Sequence, residues 1–388
     1  MQHLLEIQGY NRRGGSERHT GILARGLGDL GWRITVAAPA GGCLDDSGAL
    51  GRAGRLTVPL SGRFDLSSVA GIAGFCRREG VDLIHTHCRN ADFLGGLAQR
   101  MARVPALATT LHGMLRGPQG EDGGGVADRV HRELLRRWPH RLIGISQAVT
   151  ERARRVLGPA RVPITTVLNG SEPPTDEQVL ESRRLRQRLL AGPEEVLIVQ
   201  AGSLEPSKDP LTLLEATIRA ARRGIPLRLL FVGSGSLEER LRTEARAAGM
   251  ADRVVFAGEV PDAGPHLGAA DVVCLASRWE GFGRVLVEGM SYGRPVAASR
   301  VDGIPEVVED GETGLLVEPA RVEAWTAALI RLAGDRGLRE RLGAAGRRRF
   351  ETRFGVDRFV RETDAVLRSV LAPGPAARSR REETRAAA

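Results

Sequence analysis

Aromatic residues make up only 4% of the 388 positions. That scarcity argues against a surface built to stack single-stranded bases, which needs a row of exposed rings. The four cysteines, Cys43, Cys76, Cys88 and Cys274, are scattered without a Cys-x-x-Cys pair. A zinc cage or disulfide frame is therefore not expected, and the thiols read as small buried fillers in a reducing compartment. No apolar run reaches the roughly 18 residues that span a bilayer. The opening Met1–Ile7 reads as a strand and not a secretion signal, being short and charged. Cytoplasmic residence is the expectation. Lysine is almost absent: of 56 basic residues only Lys208 is lysine.

What is present is ordinary for a globular protein, with 42% hydrophobic and 27% charged residues. The length exceeds one comfortable core and suggests two domains of about 170 residues each. The net charge of +9 favours a polyanionic partner or an anionic membrane surface. A compositional spread of arginines explains it equally well, although Arg183–Arg188 and Arg347–Arg349 form clusters. Nucleic acid is not expected, because the charge comes without aromatic residues.

Short apolar runs alternate with helical patterns throughout. In the first half, strands are expected at Leu4–Gln8, Arg33–Ala38, Val81–His87, Ala106–Leu111 and Arg141–Ile145. Asn169-Gly170 followed by Pro173-Pro174 marks a boundary, then a charged helix follows over 176–190. The pattern restarts at Val196–Ala201 and continues through Leu227–Val232, Val254–Ala257, Val272–Leu275, Pro295–Ala298 and Gly314–Val317. The expected organisation is a first domain over 1–172, a linker with its charged helix over 173–190 and a second domain over 191–349. A helix within 350–371 crosses back to the first domain, and the tail 372–388 is expected to be disordered. Strands separated by helices imply parallel, doubly wound sheets, which gather ligands at the carboxyl ends of their strands.

Two motifs carry chemistry. In Glu280-Gly281-Phe282-Gly283-Arg284-Val285-Leu286-Val287-Glu288, two carboxylates bracket a glycine turn that opens a helix. Backbone N–H groups and the positive end of the helix dipole would face one spot. Glu288 would lie about 6 Å further along the axis. A sugar joined to a nucleoside diphosphate fits that layout: one carboxylate for sugar hydroxyls, N–H groups for phosphate, the other carboxylate for ribose. The second motif is Gly202-Ser203-Leu204-Glu205-Pro206-Ser207-Lys208-Asp209. An ammonium kept in a chain that otherwise uses arginine suits a phosphate oxygen. Gly233-Ser234-Gly235 reads equally as a phosphate loop or a tight strand-to-helix turn. Ser146 reads as an N-cap, and His85 and His87 read as structural groups with an acceptor-side role as the alternative.

With both halves placed, residues 3–370 resemble the GT-B retaining glycosyltransferases of family 4, the glycosyltransferase group 1 type. The resemblance rests on Gly14-Gly15, His85-Thr86-His87, His112-Gly113, Asn169-Gly170, Lys208, the Glu280–Glu288 element and Gly303-Ile304-Pro305-Glu306 in that order. It implies two Rossmann-like domains facing a central cleft, and transfer of a sugar with retention, without metal or cofactor. The nucleoside-diphosphate sugar, UDP- or GDP-linked, is a co-substrate. The acceptor would be a glycan, a lipid-linked group or a small metabolite, with peripheral association at an anionic membrane.

By the same resemblance Glu288 holds the ribose. Glu280 holds donor-sugar hydroxyls with the N–H groups of Phe282 and Gly283. The N–H groups near Val285 and Leu286 face the distal phosphate, with Gly281 in the turn. Lys208 and the N–H groups at Gly14 and Gly15 neutralise the diphosphate, and His112 stands across the cleft beside the sugar. From its place after Pro305, Glu306 itself reads as a cap or brace for the donor helix. Members of the family usually carry arginine where this chain has Ser203, so Lys208 acts with less help or another arginine substitutes. A nucleotide-sugar 2-epimerase on the same architecture is the alternative. A dinucleotide oxidoreductase fits less well, because Gly14-Gly15 lacks the Gly-x-Gly-x-x-Gly fingerprint.

Overall fold

The computed structural model describes residues 1–12, 14–62, 65–115, 125–159, 162–189, 192 and 194–371. The tail over 372–388 lies outside the described residues. Seven parallel strands form the first sheet: β1 (His3–Gln8), β2 (Arg33–Ala38), β3 (Gly54–Thr57), β4 (Leu83–His87), β5 (Ala106–Leu111), β6 (Arg141–Gly144) and β7 (Ile164–Thr166). Their order is β3-β2-β1-β4-β5-β6-β7. Six parallel strands form the second: β8 (Val196–Ala201), β9 (Leu227–Val232), β10 (Val254–Phe256), β11 (Val272–Leu275), β12 (Val296–Ser299) and β13 (Gly314–Val317). They run β10-β9-β8-β11-β12-β13.

The central strands are covered on both faces, so their sequences are near-continuous apolar runs. β1, β5 and β8 are buried at every position. Strand order reverses between β1 and β4 and again between β8 and β11. Such reversals open a crevice beyond the carboxyl ends, where doubly wound sheets bind ligands. Here the two crevices face each other. Apolar packing continues across the junction, with Leu111 and Ile145 of the first half in one core with Phe282 and Ile304 of the second.

The last described helix, Val356–Leu371, lies against the Gly15–Asp29 helix of the first half. Phe359 is buried there, and Trp32 donates its Nε1–H to Asp364 at 2.6 Å. Gly26 permits the close approach: a Cβ there would fall 2.5 Å from a Val360 methyl. Burial of Phe359 contributes about 1.5–3 kcal/mol to this contact.

Three elements depart from the sequence pattern. The edge strand β3 opens on Gly54 and has only Leu56 as an apolar residue. β7 is three residues long. The helix Val126–Arg137 buries only Leu134 and Leu135, so arginines dilute its apolar stripe below recognition. The fillers expected of the cysteines hold for Cys76 and Cys274, whereas Cys43 and Cys88 are half-buried.

Candidate active site

Between the halves lies a cavity of about 520 Å³. Its second-half wall begins where β8 ends. Gly202 takes φ +138°, and Leu204 N–H bonds Ser234 O at 2.9 Å, fastening this loop to the one after β9. Asp209, at φ +41°, accepts from Arg278 Nε at 3.1 Å, and Arg278 N–H bonds Ser207 O at 2.9 Å. These links carry Lys208 to the loop after β11, where its ammonium pairs with the Glu280 carboxylate. Glu280 is itself held by its N–H on Asp302 Oδ2 at 3.0 Å and by its carbonyl, which accepts from Gly303 N–H at 3.1 Å.

Gly283, at φ +86°, turns the chain into the helix Arg284–Ser291. A side chain there would be strained. The N–H groups of Arg284 and Val285, at the start of this helix, have no helical carbonyl behind them, and both residues line the cavity. Glu288 comes one turn later and accepts from Arg284 at 3.1 Å. Arg18, from the first-half helix Gly15–Asp29, reaches Glu288 at 3.5 Å and Asp262 at 2.9 Å. Arg284 also donates to Gly15 O at 3.3 Å, so two arginines bridge the halves.

Most of the residues expected from the sequence meet at this cavity. Gly14, Gly15 and His112 line it from the first half. Ser203, Lys208, Gly233, Glu280, Phe282, Gly283, Val285 and Glu288 line it from the second. Gly235, Gly281 and Leu286 do not. Gly235 serves packing: a Cβ there would fall 2.6 Å from Leu204 O. Gly281 sits beneath the His112 carbonyl, 3.0 Å from where its Cβ would be, and its own carbonyl accepts from Ser146 Oγ at 2.7 Å. The Leu286 N–H is engaged by Gly283 O at 2.9 Å, and its side chain is buried. That leaves Arg284 and Val285 to present the helix's N–H groups. The Phe282 ring points into the core against Phe354.

Glu306 has a different partner from the one expected. Its carboxylate accepts from Gln147 N–H at 2.7 Å and Ala148 N–H at 2.8 Å, capping the first-half helix Gln147–Leu157 from across the cleft. Ser146 is the N-cap of that helix, accepting from Val149 N–H at 3.1 Å, and it also donates to Gly281. The turn at Gly281 and the first half are thus pinned together at one helix end.

Beneath His112 runs a buried polar chain. Glu6 and His85 are register neighbours on β1 and β4. His87 Nε2 lies 2.5 Å from Glu6 Oε2, and His87 Nδ1 lies 3.0 Å from His112 Nε2. Burial would raise the Glu6 pKa, but the charges and hydrogen bonds of His85 and His87 outweigh it and hold it at about 2. Burial lowers His87, with His85 adding to the effect. Burial and the neighbouring imidazoles hold His112 well below the usual histidine range. The hydrogen-bond network then assigns the tautomers: His87 carries its proton on Nε2 toward Glu6, and His112 Nε2–H donates to His87 Nδ1.

The sequence reading did not pick out Arg18, Arg284, Asp302, Glu6 or His19. Arg18 follows Gly15 by three positions, and Arg284 stands between the two glutamates.

Comparison with known proteins identifies the family. Residues 13–173 match the family described as Glycosyltransferase Family 4, and residues 181–349 match Glycosyl transferases group 1. A phosphatidyl-myo-inositol mannosyltransferase of Mycobacterium leprae is 30% identical over 372 residues, covering 92% of this chain and 94% of that one. The chain belongs to glycosyltransferase family 4. A D-inositol 3-phosphate glycosyltransferase of Nocardia farcinica is 32% identical over 288 residues, 68% of this chain and 61% of that protein. The crystal structure of Anabaena Alr3699/HepE in complex with UDP-glucose superposes with a TM-score of 0.82 at 22% identity, over 95% of this chain and all of that one. Sucrose-phosphate synthase from Thermosynechococcus elongatus gives 0.78 at 21% identity, over 96% and 100% of the two chains. This family 4 enzyme therefore has the GT-B fold and is a retaining glycosyltransferase that uses a nucleotide-sugar donor. The epimerase and oxidoreductase alternatives are set aside. No helix among the described residues is long and apolar enough to cross a membrane.

Proposed function

We propose that the enzyme moves a hexosyl group from a UDP- or GDP-linked sugar to a hydroxyl of a polyol, glycan or lipid-linked acceptor, without a metal in the step. The observation that carries this reading is the pairing of Lys208 with Glu280 beside the N-terminus of the Arg284–Ser291 helix, at the point where both crevices meet. The diphosphate displaces the Glu280 carboxylate from the ammonium. Glu280 then turns to the sugar hydroxyls, and Glu288 accepts from the ribose. The base rests against Gly233 and the Glu259–Pro261 wall of the cavity. As the bond from the anomeric carbon to the β-phosphate oxygen breaks, negative charge grows on the diphosphate. Lys208 and the N–H groups of Gly15, Arg284 and Val285 stabilise it in a cleft with little water. The acceptor oxygen attacks from the same face and gives its proton to the departing β-phosphate oxygen, which preserves configuration.

Ser203 leaves the diphosphate one cation short of the family's usual pair. Arg284 and Arg18 stand within the same cavity and take that part.

The names of the relatives support an inositol- or carbohydrate-like acceptor. A lipid-linked acceptor would bring the enzyme to an anionic membrane. The arginine clusters noted in the sequence are poor candidates for that contact. Arg184 and Arg188 pair with Glu181, Arg186 with Asp271, Arg347 with Glu351 and Arg349 with Glu309. The exposed face of the Val126–Arg137 helix, with Val126, Arg129, Val130 and Arg137 outward, suits a membrane surface better. A screen of nucleotide sugars with and without EDTA, reading released nucleoside diphosphate, tests the whole reading. Turnover with one donor in EDTA is the expected result; no release from any donor would refute it.

A further inference from the structure

One nitrogen beneath the cleft has no evident use. His19, on the Gly15–Asp29 helix, is 2% exposed. Its Nδ1 lies 2.9 Å from Asn169 Oδ1, which can only accept, so Nδ1 carries the proton and Nε2 a bare lone pair. No described residue hydrogen-bonds that Nε2. Buried polar atoms are seldom left so, and each calls for an explanation.

The neighbours of His19 supply one. One ring nitrogen from each of His19, His87 and His112 falls within 4.8 Å of the others. The ring centroids stand 4.6 Å apart for His19 and His112, 5.2 Å for His19 and His87, and 5.2 Å for His87 and His112. A tetrahedral ion held at about 2.0–2.1 Å by three imidazole nitrogens sets rings about 5 Å apart. The His87 Nδ1 to His112 Nε2 distance of 3.0 Å is within a few tenths of the spacing such an ion needs. The outer partners fit as well. Metal-bound histidines characteristically give their second N–H to a carboxylate or carbonyl oxygen. His87 gives its own to Glu6, and His19 gives its own to Asn169.

We propose that His19, His87 and His112 bind a divalent transition-metal cation of the zinc class, and that the bound cation inhibits transfer by fixing the His112 ring on the buried cluster, where it cannot turn to the sugar. Three imidazoles select such a cation over magnesium or calcium, which prefer oxygen. The proton that His112 Nε2 gives to His87 passes to His112 Nδ1 as the cation takes Nε2. The ring remains neutral and no redox partner is needed. A water fills the fourth position, toward the cavity that His112 lines. The inhibitory half of the proposal rests on the place given to His112 beside the sugar; the binding half does not.

The test uses the full chain without a polyhistidine tag, titrated calorimetrically with zinc chloride and assayed in parallel for nucleoside diphosphate release. One zinc should bind per chain, with no comparable heat from magnesium chloride. His19→Phe keeps a ring against Phe359 but removes the nitrogen, and should weaken zinc binding at least ten-fold. Zinc should suppress wild-type turnover reversibly, with EDTA restoring it, and should spare His19→Phe at the same concentration. Cobalt(II) added to the wild-type chain should show the intense visible absorption of tetrahedral coordination, which needs no variant to fold. Absence of zinc binding, or equal binding by His19→Phe, or an octahedral cobalt spectrum, would overturn the site. Zinc bound at His19 without loss of turnover would overturn the inhibition and the placing of His112, while leaving donor use by the cleft intact.

Discussion

Lys208 and Glu280, 72 positions apart, form an ion pair at the meeting point of the two crevices, both side chains largely buried. The ammonium is therefore held in place before any phosphate reaches it, and the carboxylate competes with phosphate for it. In the proposed reaction, Lys208→Ala removes one charged contact to the departing diphosphate. If that contact is made mainly in the transition state it contributes about 1.5–3 kcal/mol, or roughly ten- to a hundred-and-fifty-fold in turnover. Glu280→Gln should cut turnover while leaving affinity for the bare nucleoside diphosphate equal or tighter, since the competing carboxylate charge is gone. Turnover and calorimetric affinity measured on both variants check this, and unchanged turnover in Lys208→Ala would remove it from the mechanism.

Glu288 accepts from Arg284 and faces Arg18, so it is oriented from two sides before any ligand reaches it. Glu288→Gln should weaken nucleoside diphosphate binding more than it lowers the melting temperature. Equal calorimetric affinity for wild type and variant would refute the ribose assignment.

Glu306 ties the halves together through the helix end at Gln147 and Ala148. Loss of a cap of this kind costs about 0.5–2 kcal/mol. Glu306→Ala should lower turnover while calorimetric nucleotide affinity stays near wild type, because the second half keeps its own contacts. Small-angle scattering should show a larger radius of gyration. A variant with wild-type turnover and unchanged dimensions would show that the contact is incidental.

Burial depresses the imidazoles of His19, His87 and His112 in the folded chain. Below the ordinary histidine value of 6.5 the unfolded chain takes up protons that the folded chain does not, so stability falls as pH drops. The slope is at most about 1.4 kcal/mol per pH unit for each such ring. Glu6, held at about 2 in the fold against an ordinary 4.5, adds its loss only below 4.5. Denaturant melts should therefore weaken steadily from pH 6.5 downward. A flat stability between pH 7.5 and 5.5 would contradict the buried neutral cluster.

The Val126–Arg137 helix exposes Val126 and Val130 beside arginines. Vesicle binding should rise with anionic lipid and fall with salt, and Val130→Glu should reduce it. Indifference to lipid charge, salt and substitution alike would leave this face as plain surface.

The fold was legible because central parallel strands are buried on both faces and so appear as apolar runs between helices. β1, β5 and β8 stand out in this way, and the edge strand β3 does not. The Glu280–Glu288 turn was legible because its glycines and carboxylates sit on one local loop and one helix. What stayed hidden depends on distant partners. Glu306 meets a helix end 159 positions away. Glu6 is a charge inside an apolar strand whose burial makes sense only once His85 and His87 stand beside it. Arg18 gains its role only when the halves face each other, and no spacing in the sequence encodes that approach.

Crystals soaked with UDP or GDP probe the Lys208 corner most directly. The β-phosphate should lie within about 2.7–3.2 Å of Lys208 Nζ, with Glu280 swung away from the ammonium and the ribose hydroxyls on Glu288. A nucleotide bound elsewhere, with the Lys208–Glu280 pair intact, would contradict it.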